Sequence, residues 1–372
     1  MDESRPSSVR AIAGQAPGTQ AGQRKGRGAV SNPASRFDVE GREAADDGWW
    51  QDDDLPPLKT TITHDATRTI IARNDSPDIP FDRSINPYRG CEHGCIYCFA
   101  RPSHAYLGLS PGLDFETKLL VKPDAARLLD AELRDRMYRC APIALGTNTD
   151  PYQPIERELR ITRQVLEVLA RFSHPLSIVT KSALVGRDLD ILQPMAARNL
   201  ACVFVSVTTL EPELARKMEP RASAPHRRLE TIRELAKAGV PTGVMAAPMI
   251  PGLNDHELDR ILDAARAAGA TRAAYTLLRL PHEIKDLFAQ WLEAHAPLRA
   301  KHVLNLVQQT RGGRLNDPEF GSRMVGAGPY AQLIAARFRL ASERIGFDRT
   351  RLDLDTSQFK TPPRQGDQLT LL

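Results

Sequence analysis

The sequence predicts an α/β protein: a partial (β/α)6 barrel with parallel strands, a disordered N-terminal tail and a C-terminal helical extension. The main observation is that short apolar runs, typical of buried parallel strands, alternate with longer segments whose apolar residues recur at helical spacing. A second observation is the glycine that directly follows two of the helical segments, at Gly239 and Gly269, where helices commonly end. Six strand–helix units fit either a partial barrel or an open doubly wound sheet.

Each element is predicted from its own apolar pattern. The predicted strands are, in chain order, 84–89, 143–146, 176–180, 201–208, 242–247 and 273–278. The predicted helices are 124–138, 156–172, 189–199, 227–238, 255–268 and 282–295. The fourth strand is rich in β-branched residues, and the second helix has apolar residues at helical period. In either architecture, functional side chains are expected at the carboxyl ends of the strands.

Composition divides the chain into three predicted regions. Residues 1–58 are rich in Gly, Ser, Pro, Ala and charged residues and lack apolar periodicity, so they are predicted to be a disordered tail. Residues 59–296 form the predicted core, and residues 297–372 form a helical extension that ends in a polar tail. The tail contains a basic patch at 24–28, for which a solvated segment is the favoured interpretation and nucleic-acid contact the alternative. Trp49-Trp50 is expected to dock on the folded body.

Charge and hydropathy exclude several classes of protein. The chain has 50 Lys and Arg against 46 Asp and Glu, a net charge of +4 that neither demands nor excludes a polyanionic partner. No apolar run approaches the ~18 residues of a membrane helix, so no membrane association is expected. The N-terminus lacks the apolar region of a secretory signal. The sequence therefore predicts a cytoplasmic protein and excludes a membrane span or a disulfide miniprotein.

The most informative segment contains three clustered cysteines directly after the first predicted strand. Cys91, Cys95 and Cys98 have the spacing C-x3-C-x2-C, and Gly90 and Gly94 allow tight turns around them. Three thiolates in so short a segment can surround one compact metal centre. They leave one ligand position without a protein donor, as a catalytic centre requires.

The alternative to an iron–sulfur centre is a zinc site with a fourth protein ligand. Candidate fourth ligands are Cys140, His93 and His104. Zinc motifs usually contain a second cysteine pair, and the sequence lacks one, so the spacing favours iron–sulfur. Cys140 and Cys202 are interpreted as structural thiols, because free cysteine is commonly buried.

The motif C-x3-C-x-aromatic-C after the first strand resembles the radical S-adenosylmethionine superfamily, and the resemblance covers about residues 82–280. It implies that Cys91, Cys95 and Cys98 bind one 4Fe–4S cluster whose open iron binds S-adenosylmethionine. The reduced cluster would then generate a 5′-deoxyadenosyl radical that abstracts a hydrogen atom from a substrate. Tyr97 would pack on the adenine, and an electron donor such as flavodoxin or ferredoxin would reduce the cluster. No cysteine follows Cys202, so a second, C-terminal cluster is excluded.

Polar residues at other strand ends are candidate ligands for S-adenosylmethionine. Asn148 and Asp150 follow the second strand and would accept hydrogen bonds from the methionyl amino group; their alternative role is turn formation. Lys181 follows the third strand and would pair with the methionyl carboxylate, or else lie on the surface as a solvated charge. Ser206 ends the fourth strand and would bind ribose, or else form a hydrogen bond to the backbone.

Within the superfamily, the segments 86–91, 146–154 and 219–223 are similar to the group that contains spore photoproduct lyase, a DNA repair enzyme. The tail segment 25–33 resembles an uncharacterised bacterial branch of that group. Spore photoproduct lyase uses a cysteine as hydrogen-atom donor after the second strand, and the matching residue here is Thr147. This difference argues against thymine-dimer repair.

Three functions therefore stay open. The first is a radical enzyme that acts on nucleic acid, and the second is one that modifies a small molecule or a protein side chain. The third is a zinc-binding protein without catalysis. A basic run could supply phosphate contacts for a nucleic acid. The favoured interpretation is that these residues lie on a solvated helix surface and that Arg221 forms a salt bridge with Glu219. The run consists of Arg216, Lys217, Arg221, His226, Arg227 and Arg228.

Overall fold

The computed structural model describes residues 26–37, 58–350 and 352–363. Their strands are β1 (Thr61–His64), β2 (Ile71–Arg73), β3 (Arg83–Ile85), β4 (Tyr88–Arg89), β5 (Lys118–Val121), β6 (Ile143–Leu145), β7 (Leu176–Thr180), β8 (Ala201–Ser206), β9 (Thr242–Met249) and β10 (Arg272–Leu277). Their α-helices are α1 (Leu113–Thr117), α2 (Ala125–Leu133), α3 (Glu156–Leu159), α4 (Ile161–Arg171), α5 (Leu189–Ala196), α6 (Pro212–Met218), α7 (Pro225–Lys237), α8 (Leu258–Ala267), α9 (Ile284–His295), α10 (Pro297–Gln309) and α11 (Gly328–Ile345). Short 3-10 helices cover Arg101–Leu107, Ala183–Asp188 and Asp255–Glu257.

The main sheet has the strand order β10-β9-β8-β7-β6-β3-β2. Its six strands from β3 to β10 are parallel neighbours in chain order, and β2 pairs antiparallel with β3 at the edge. A doubly wound sheet would reverse its strand order at a switch point, and this sheet has no such reversal. Successive right-handed crossovers then place the helices on one face. The predicted partial (β/α)6 barrel is confirmed, and the doubly wound alternative is wrong.

Alternation along the strands separates a helix-covered face from the inner face of the barrel. In β8, Val203 and Val205 belong to the main apolar core together with helix residues such as Leu192 and Ile232. Phe204 and Ser206 have the opposite parity, so they lie on the inner face. Val203 and Val205, whose β-branched side chains are typical of a strand, therefore pack β8 against the layer of helices.

A second, small sheet was not predicted from the sequence. It has the order β1-β5-β4, with β1 parallel and β4 antiparallel to β5. The strand β4 has only two residues, and Tyr88 pairs with Val121 there. Two-residue strands leave no periodic pattern in a sequence. This sheet fixes the chain directly before the cysteine motif.

The C-terminal region is helical, as predicted, and it also closes the side of the barrel. Residues 310–326 connect α10 to α11 and cross from one sheet edge to the other. The Leu277 amide at the end of β10 donates to the carbonyl oxygen of Met324 at 2.8 Å. The Gly321 amide donates to Asp78 Oδ1, in the loop between β2 and β3, at 2.7 Å. The extension therefore bridges the opening that six strands leave in a barrel.

The N-terminal prediction needs a correction over residues 26–37. The sequence predicts a disordered tail through residue 58, but Ala29 and Val30 are only 1% and 7% exposed. Their burial depends on hydrogen bonds to distant residues, and local composition carries no information about such bonds. Trp49-Trp50 and residues 24–25 of the basic patch lie outside the described residues. No helix in the described part of the chain is long and apolar enough to cross a membrane.

Two glycine substitutions are expected to separate backbone strain from steric conflict. Gly239 ends α7 with a φ of 76° and nothing within 4 Å of an added Cβ, so Gly239→Ala should cost about 1 kcal/mol. Gly146 ends β6 with a φ of 84°, and its Cβ would lie 1.9 Å from the carbonyl oxygen of Val179. Gly146→Ala should therefore add an overpacking cost of about 1–3 kcal/mol. Urea unfolding of both variants checks this; equal losses would contradict it.

Candidate functional site

The cysteine motif forms a tight loop between β4 and the 3-10 helix Arg101–Leu107. The Cys91 amide donates to the carbonyl oxygen of Phe115 at 2.9 Å, which ties the start of the loop to the end of α1. Turns follow at each step: the Gly94 amide donates to Cys91 at 3.3 Å, and the Cys98 amide donates to Cys95 at 3.2 Å. Gly94 has a φ of 67°, which a residue with a side chain rarely adopts. The predicted glycine turns are present.

The three thiols are neighbours at the carboxyl end of the barrel. Cys91 and Cys95 are buried, whereas Cys98 is half-buried. Burial raises the pKa of the Cys91 thiol well above its usual value, and Asp150, Cys95 and Cys98 raise it further. Burial also raises the pKa of Cys95, where the ammonium of Lys181 opposes the rise. Because thiolates are the metal-binding form, metal binding by this loop must release protons.

The candidate fourth ligands of a zinc site differ in their surroundings, and His104 Nδ1 is buried without a hydrogen-bond partner in the described part of the chain. His104 Nε2 lies 2.9 Å from the carbonyl oxygen of Lys118, and its ring is fully buried. His93 Nδ1 lies 3.3 Å from Asp150 Oδ2. Cys140 precedes β6, at the amino end of that strand, whereas the cysteine loop lies at the carboxyl ends. Of the predicted fourth ligands, Cys140 lies at the opposite end of the barrel from the cysteine loop, whereas His93 lies within the loop and contacts Asp150.

The donor set matches an iron–sulfur cluster in its chemistry. Within the described residues, no three Cys, His, Asp or Glu side chains converge on a point where one metal ion could bind. In a 4Fe–4S cube each thiolate binds its own iron atom, so three ligands need not converge. Three thiols on one loop therefore have the donor chemistry that such a cluster requires.

Tyr97, inside the loop, is locked by a buried ion pair that the sequence did not reveal. Its hydroxyl donates to Glu219 Oε1 and lies 3.3 Å from Thr208 Oγ1. The other carboxylate oxygen of Glu219 pairs with Arg228, and both side chains are almost fully buried. The predicted pair of Arg221 with Glu219 is wrong, because Arg221 pairs with Glu92 at 3.1 Å. Glu219 was predicted as the partner because it is two residues away in the chain, but the fold brings Glu92 of the cysteine loop next to Arg221.

Asp150 lies beneath the loop with its carboxylate fully engaged. It accepts hydrogen bonds from the Lys181 amide at 2.8 Å and the Thr180 hydroxyl at 2.7 Å. Asp150 also accepts a hydrogen bond from the Tyr152 backbone amide at 2.9 Å, which closes the turn over residues 150–152. Burial alone would raise the pKa of this carboxyl, but the His93 ring and these hydrogen bonds lower it to about 2. Asp150 therefore connects the loop after β6 to the end of β7.

Comparison with known proteins identifies the family. A family model described as the radical SAM superfamily matches residues 85–265, which contain the cysteine loop and the four barrel strands β6 to β9. An uncharacterised protein of Mycobacterium tuberculosis is 40% identical over 227 residues, which are 60% of this chain and 67% of the relative. The chain belongs to the radical SAM superfamily. It is accordingly an enzyme.

Solved structures give the same fold for this radical SAM protein. Spore photoproduct lyase with bound AdoMet and dinucleoside spore photoproduct matches 77% of this chain and 80% of its own, with a TM-score of 0.54 and 16% identity. A radical SAM Nalpha-GlyT isomerase of Pseudomonas phage M6 is 24% identical over 61% of this chain and 46% of its own length. The structural likeness supports the fold alone, and the reaction of this enzyme stays open.

The remaining predicted cofactor residues of this radical SAM enzyme differ in placement. The ammonium of Lys181 lies 5.8 Å from the centroid of the Tyr97 ring, beside the loop. Ser206 is buried on the inner face of β8, with the same parity as Thr208, which contacts Tyr97. Asn148 is exposed, and its amide donates to Asn86 Oδ1 at 3.1 Å. The fold thus brings Lys181 and Ser206 to the side of Tyr97 and leaves Asn148 at the rim; their roles stay predictions.

Four of the six residues of the predicted basic run pair with carboxylates, and the other two, Arg216 and His226, lie exposed. Arg228 is buried against Glu219, and Arg227 pairs with Glu230. Lys217 pairs with Glu213 at 2.7 Å, one helical turn away. The favoured interpretation of this run, a helix surface with ion pairs, therefore describes these residues better than a phosphate-binding patch does.

The two remaining cysteines lie apart from the site. Burial raises the pKa of Cys140 to about 11 and that of Cys202 to about 12. Cys202 is 1% exposed within β8. Both thiols are therefore protonated near neutral pH, which fits the structural role predicted for them.

Proposed function

We propose that the protein binds one 4Fe–4S cluster through Cys91, Cys95 and Cys98 and binds S-adenosylmethionine beside it. The observation that carries this proposal is the buried loop with three neighbouring thiols at the carboxyl ends of the barrel strands. When bound, the reduced cluster supplies the electron that cleaves S-adenosylmethionine to a 5′-deoxyadenosyl radical. An electron donor such as flavodoxin or ferredoxin would deliver that electron.

In this proposal, Tyr97 and Lys181 orient S-adenosylmethionine. The Tyr97 ring is fixed at its hydroxyl by Glu219, so its face is held in one orientation for the adenine. The ammonium of Lys181 would pair with the methionyl carboxylate. Ser206, on the inner face of β8, would bind ribose.

Asn148 and Asp150 were both predicted to accept hydrogen bonds from the methionyl amino group. Asn148, at the exposed rim, has the more accessible side chain for that role. Asp150 already accepts hydrogen bonds from two residues at the end of β7. We therefore propose that Asp150 acts mainly through Lys181, because its carboxylate fixes the Lys181 backbone.

The test is production of 5′-deoxyadenosine from S-adenosylmethionine alone. The protein would be purified without oxygen, reconstituted with iron and sulfide, and reduced with dithionite. We expect about four irons per chain, brown colour and deoxyadenosine by chromatography. A protein that is loaded with iron but forms no deoxyadenosine would contradict the radical chemistry. A protein that takes up only zinc would support the structural zinc alternative.

We further propose that the substrate is a nucleic acid. Solved spore photoproduct lyases with this fold hold a dinucleoside spore photoproduct. This chain offers a suitable surface beside the cysteine loop. The guanidinium of Arg279 lies 5.6 Å from the ring centroid of Phe99, which directly follows Cys98. Phe99 is 47% exposed, so it presents a face on which a base can stack.

Arg279 lacks the carboxylate partner that most arginines of this protein have. Besides the Phe99 ring, its guanidinium contacts Met324 Sδ at 3.7 Å, and no ion pair involves it in the described part of the chain. Burial lowers the pKa of Arg279, and the neighbouring Arg323 lowers it further. A half-buried guanidinium that has no ion-pair partner and lies next to a second arginine is stabilised when an anion such as phosphate binds.

Replacing Arg279 by glutamine is expected to weaken binding of single-stranded oligonucleotides and to reduce its salt dependence. Loss of one phosphate contact should lower the slope of log K against log salt by about 0.7. Phe99→Ala should cost about 1–3 kcal/mol through lost stacking. Fluorescence anisotropy at several salt concentrations measures both. Arg339→Gln, an exposed arginine on α11 paired with Glu343 at 3.6 Å, is the matched control.

Two results would contradict the nucleic-acid proposal. One is wild-type binding that does not depend on salt, which favours a small molecule or a protein side chain as substrate. The other is an unchanged salt slope in Arg279→Gln. Neither result affects the deoxyadenosine assay, so the substrate and the cofactor chemistry are tested separately.

A further inference from the structure

Residues 27–33, here called the N-terminal strap, lie directly against the cysteine loop. The amide of Gly28 donates to Glu116 Oε2 at 3.0 Å, and the amide of Ala29 donates to Glu116 Oε1 at 2.8 Å. Glu116 belongs to α1 and is fully buried. One carboxylate therefore holds two successive amides of a segment that lies 88 and 87 residues away in the chain.

The backbones of the strap and the loop approach each other closely at Gly28 and Gly94, beside an apolar cluster that contains Ala29 and Cys95. A Cβ added at Gly28 would lie 1.8 Å from the carbonyl oxygen of Gly94. Gly94 stands between Cys91 and Cys95, and its own Cβ would lie 2.7 Å from Glu116 Oε2. Because Gly28 and Gly94 have no side chains, the strap, the loop and the Glu116 carboxylate can lie in direct contact.

Arg101 connects the same carboxylate to the loop. Its guanidinium donates to Glu116 Oε1 at 2.5 Å and to the carbonyl oxygen of Gly94 at 3.0 Å. Its Nε donates to the carbonyl oxygen of Cys95 at 2.9 Å. Arg101 is fully buried, so its charge depends on Glu116 for compensation. The strap, Glu116, Arg101 and two carbonyl groups of the loop thus form one hydrogen-bonded unit.

A second anchor fixes the far end of the strap. Asn32 Nδ2 donates to Asp114 Oδ1 at 3.0 Å, and the Asp114 amide donates back to Asn32 Oδ1 at 3.1 Å. The hydroxyl of Ser110 donates to the carbonyl oxygen of Pro33 at 2.6 Å. Asn32 is exposed, so this anchor can be removed without opening a cavity.

We propose that the N-terminal strap, through Glu116 and Arg101, holds the cysteine loop in the conformation that retains its cluster. The inference rests on the proposed function, because it requires the loop to bind a cluster. Glu116 and Arg101 are positioning residues: they contact backbone carbonyls of the loop rather than a thiol. Groups that orient metal ligands commonly change metal retention 10- to 100-fold when they are replaced.

The experiment compares Gly28→Ala with Gly26→Ala. Gly26 precedes the strap, is exposed, and has nothing within 4 Å of an added Cβ, but its φ is 77°. Gly26→Ala therefore controls for local backbone strain without a steric conflict against the loop. Reconstituted full-length proteins would be mixed with an iron chelator without oxygen, and cluster loss followed by absorbance. We expect Gly28→Ala to lose its cluster about 10-fold faster than wild type. Gly26→Ala should lose it at the wild-type rate. Thermal unfolding of each protein shows that the variants are folded.

Asn32→Ala is the second variant, because it keeps the inference testable if Gly28→Ala does not fold. We expect it to release the cluster faster than wild type while its thermal midpoint stays unchanged. Wild-type rates in the folded variants would overturn the inference and leave the proposed function intact. A wild-type protein that takes up no iron would overturn both.

Discussion

Replacing Cys95 by alanine is expected to abolish both stable cluster binding and deoxyadenosine formation. Cys91→Ala and Cys98→Ala should have the same effect, because each thiolate binds a separate corner of the cluster. Iron and sulfide analysis measures the first effect, and chromatography of the products of S-adenosylmethionine measures the second. We expect iron to fall from about four per chain to a small residual amount in each variant.

The chain supplies matched controls for these variants. Cys140 lies at the amino end of β6, and Cys202 lies within β8, so neither contacts the loop. Cys140→Ala and Cys202→Ala should keep iron content and product formation at the wild-type level. Loss of the cluster in Cys140→Ala would instead support a metal site with that thiol as fourth ligand. Retention of a full cluster in Cys95→Ala would contradict the assignment of the three ligands.

Replacing Glu219 by glutamine is expected to destabilise the protein strongly. The change leaves the Arg228 guanidinium buried without a counter-charge, and breaking one side of a buried ion pair costs about 3–5 kcal/mol. It also weakens the hydrogen bond that holds the Tyr97 hydroxyl, so the aromatic residue of the cysteine loop loses its fixed orientation. The free energy of unfolding in urea measures the first effect.

Two controls identify the cause of that loss. Glu213→Gln removes an exposed partner of Lys217 on α6 and should leave stability unchanged. A double variant, Glu219→Met with Arg228→Met, removes both charges and should recover part of the lost stability, since apolar replacement of a buried pair is often neutral. If Glu219→Gln were as stable as Glu213→Gln, the ion pair would not hold this region together.

The sequence by itself determined the architecture and the chemistry-bearing motif. Apolar periodicity is a local signal, and it located the six parallel strands, β3 and β6 to β10, together with the helices between them. The cysteine spacing is equally local, because the three candidate ligands lie within eight residues of each other. Glycine at 90 and 94 has positive φ for the same local reason.

Only the tertiary structure decided which distant groups meet. Tyr97 and Glu219 are separated by 122 residues, and Gly28 and Glu116 by 88. No periodicity encodes such pairs, since a buried carboxylate takes whichever donors the packed elements bring within reach. For this reason the partner predicted for Arg221 was wrong, and residues 26–37 were assigned to a disordered tail. The fold instead makes that segment part of the support of the cysteine loop.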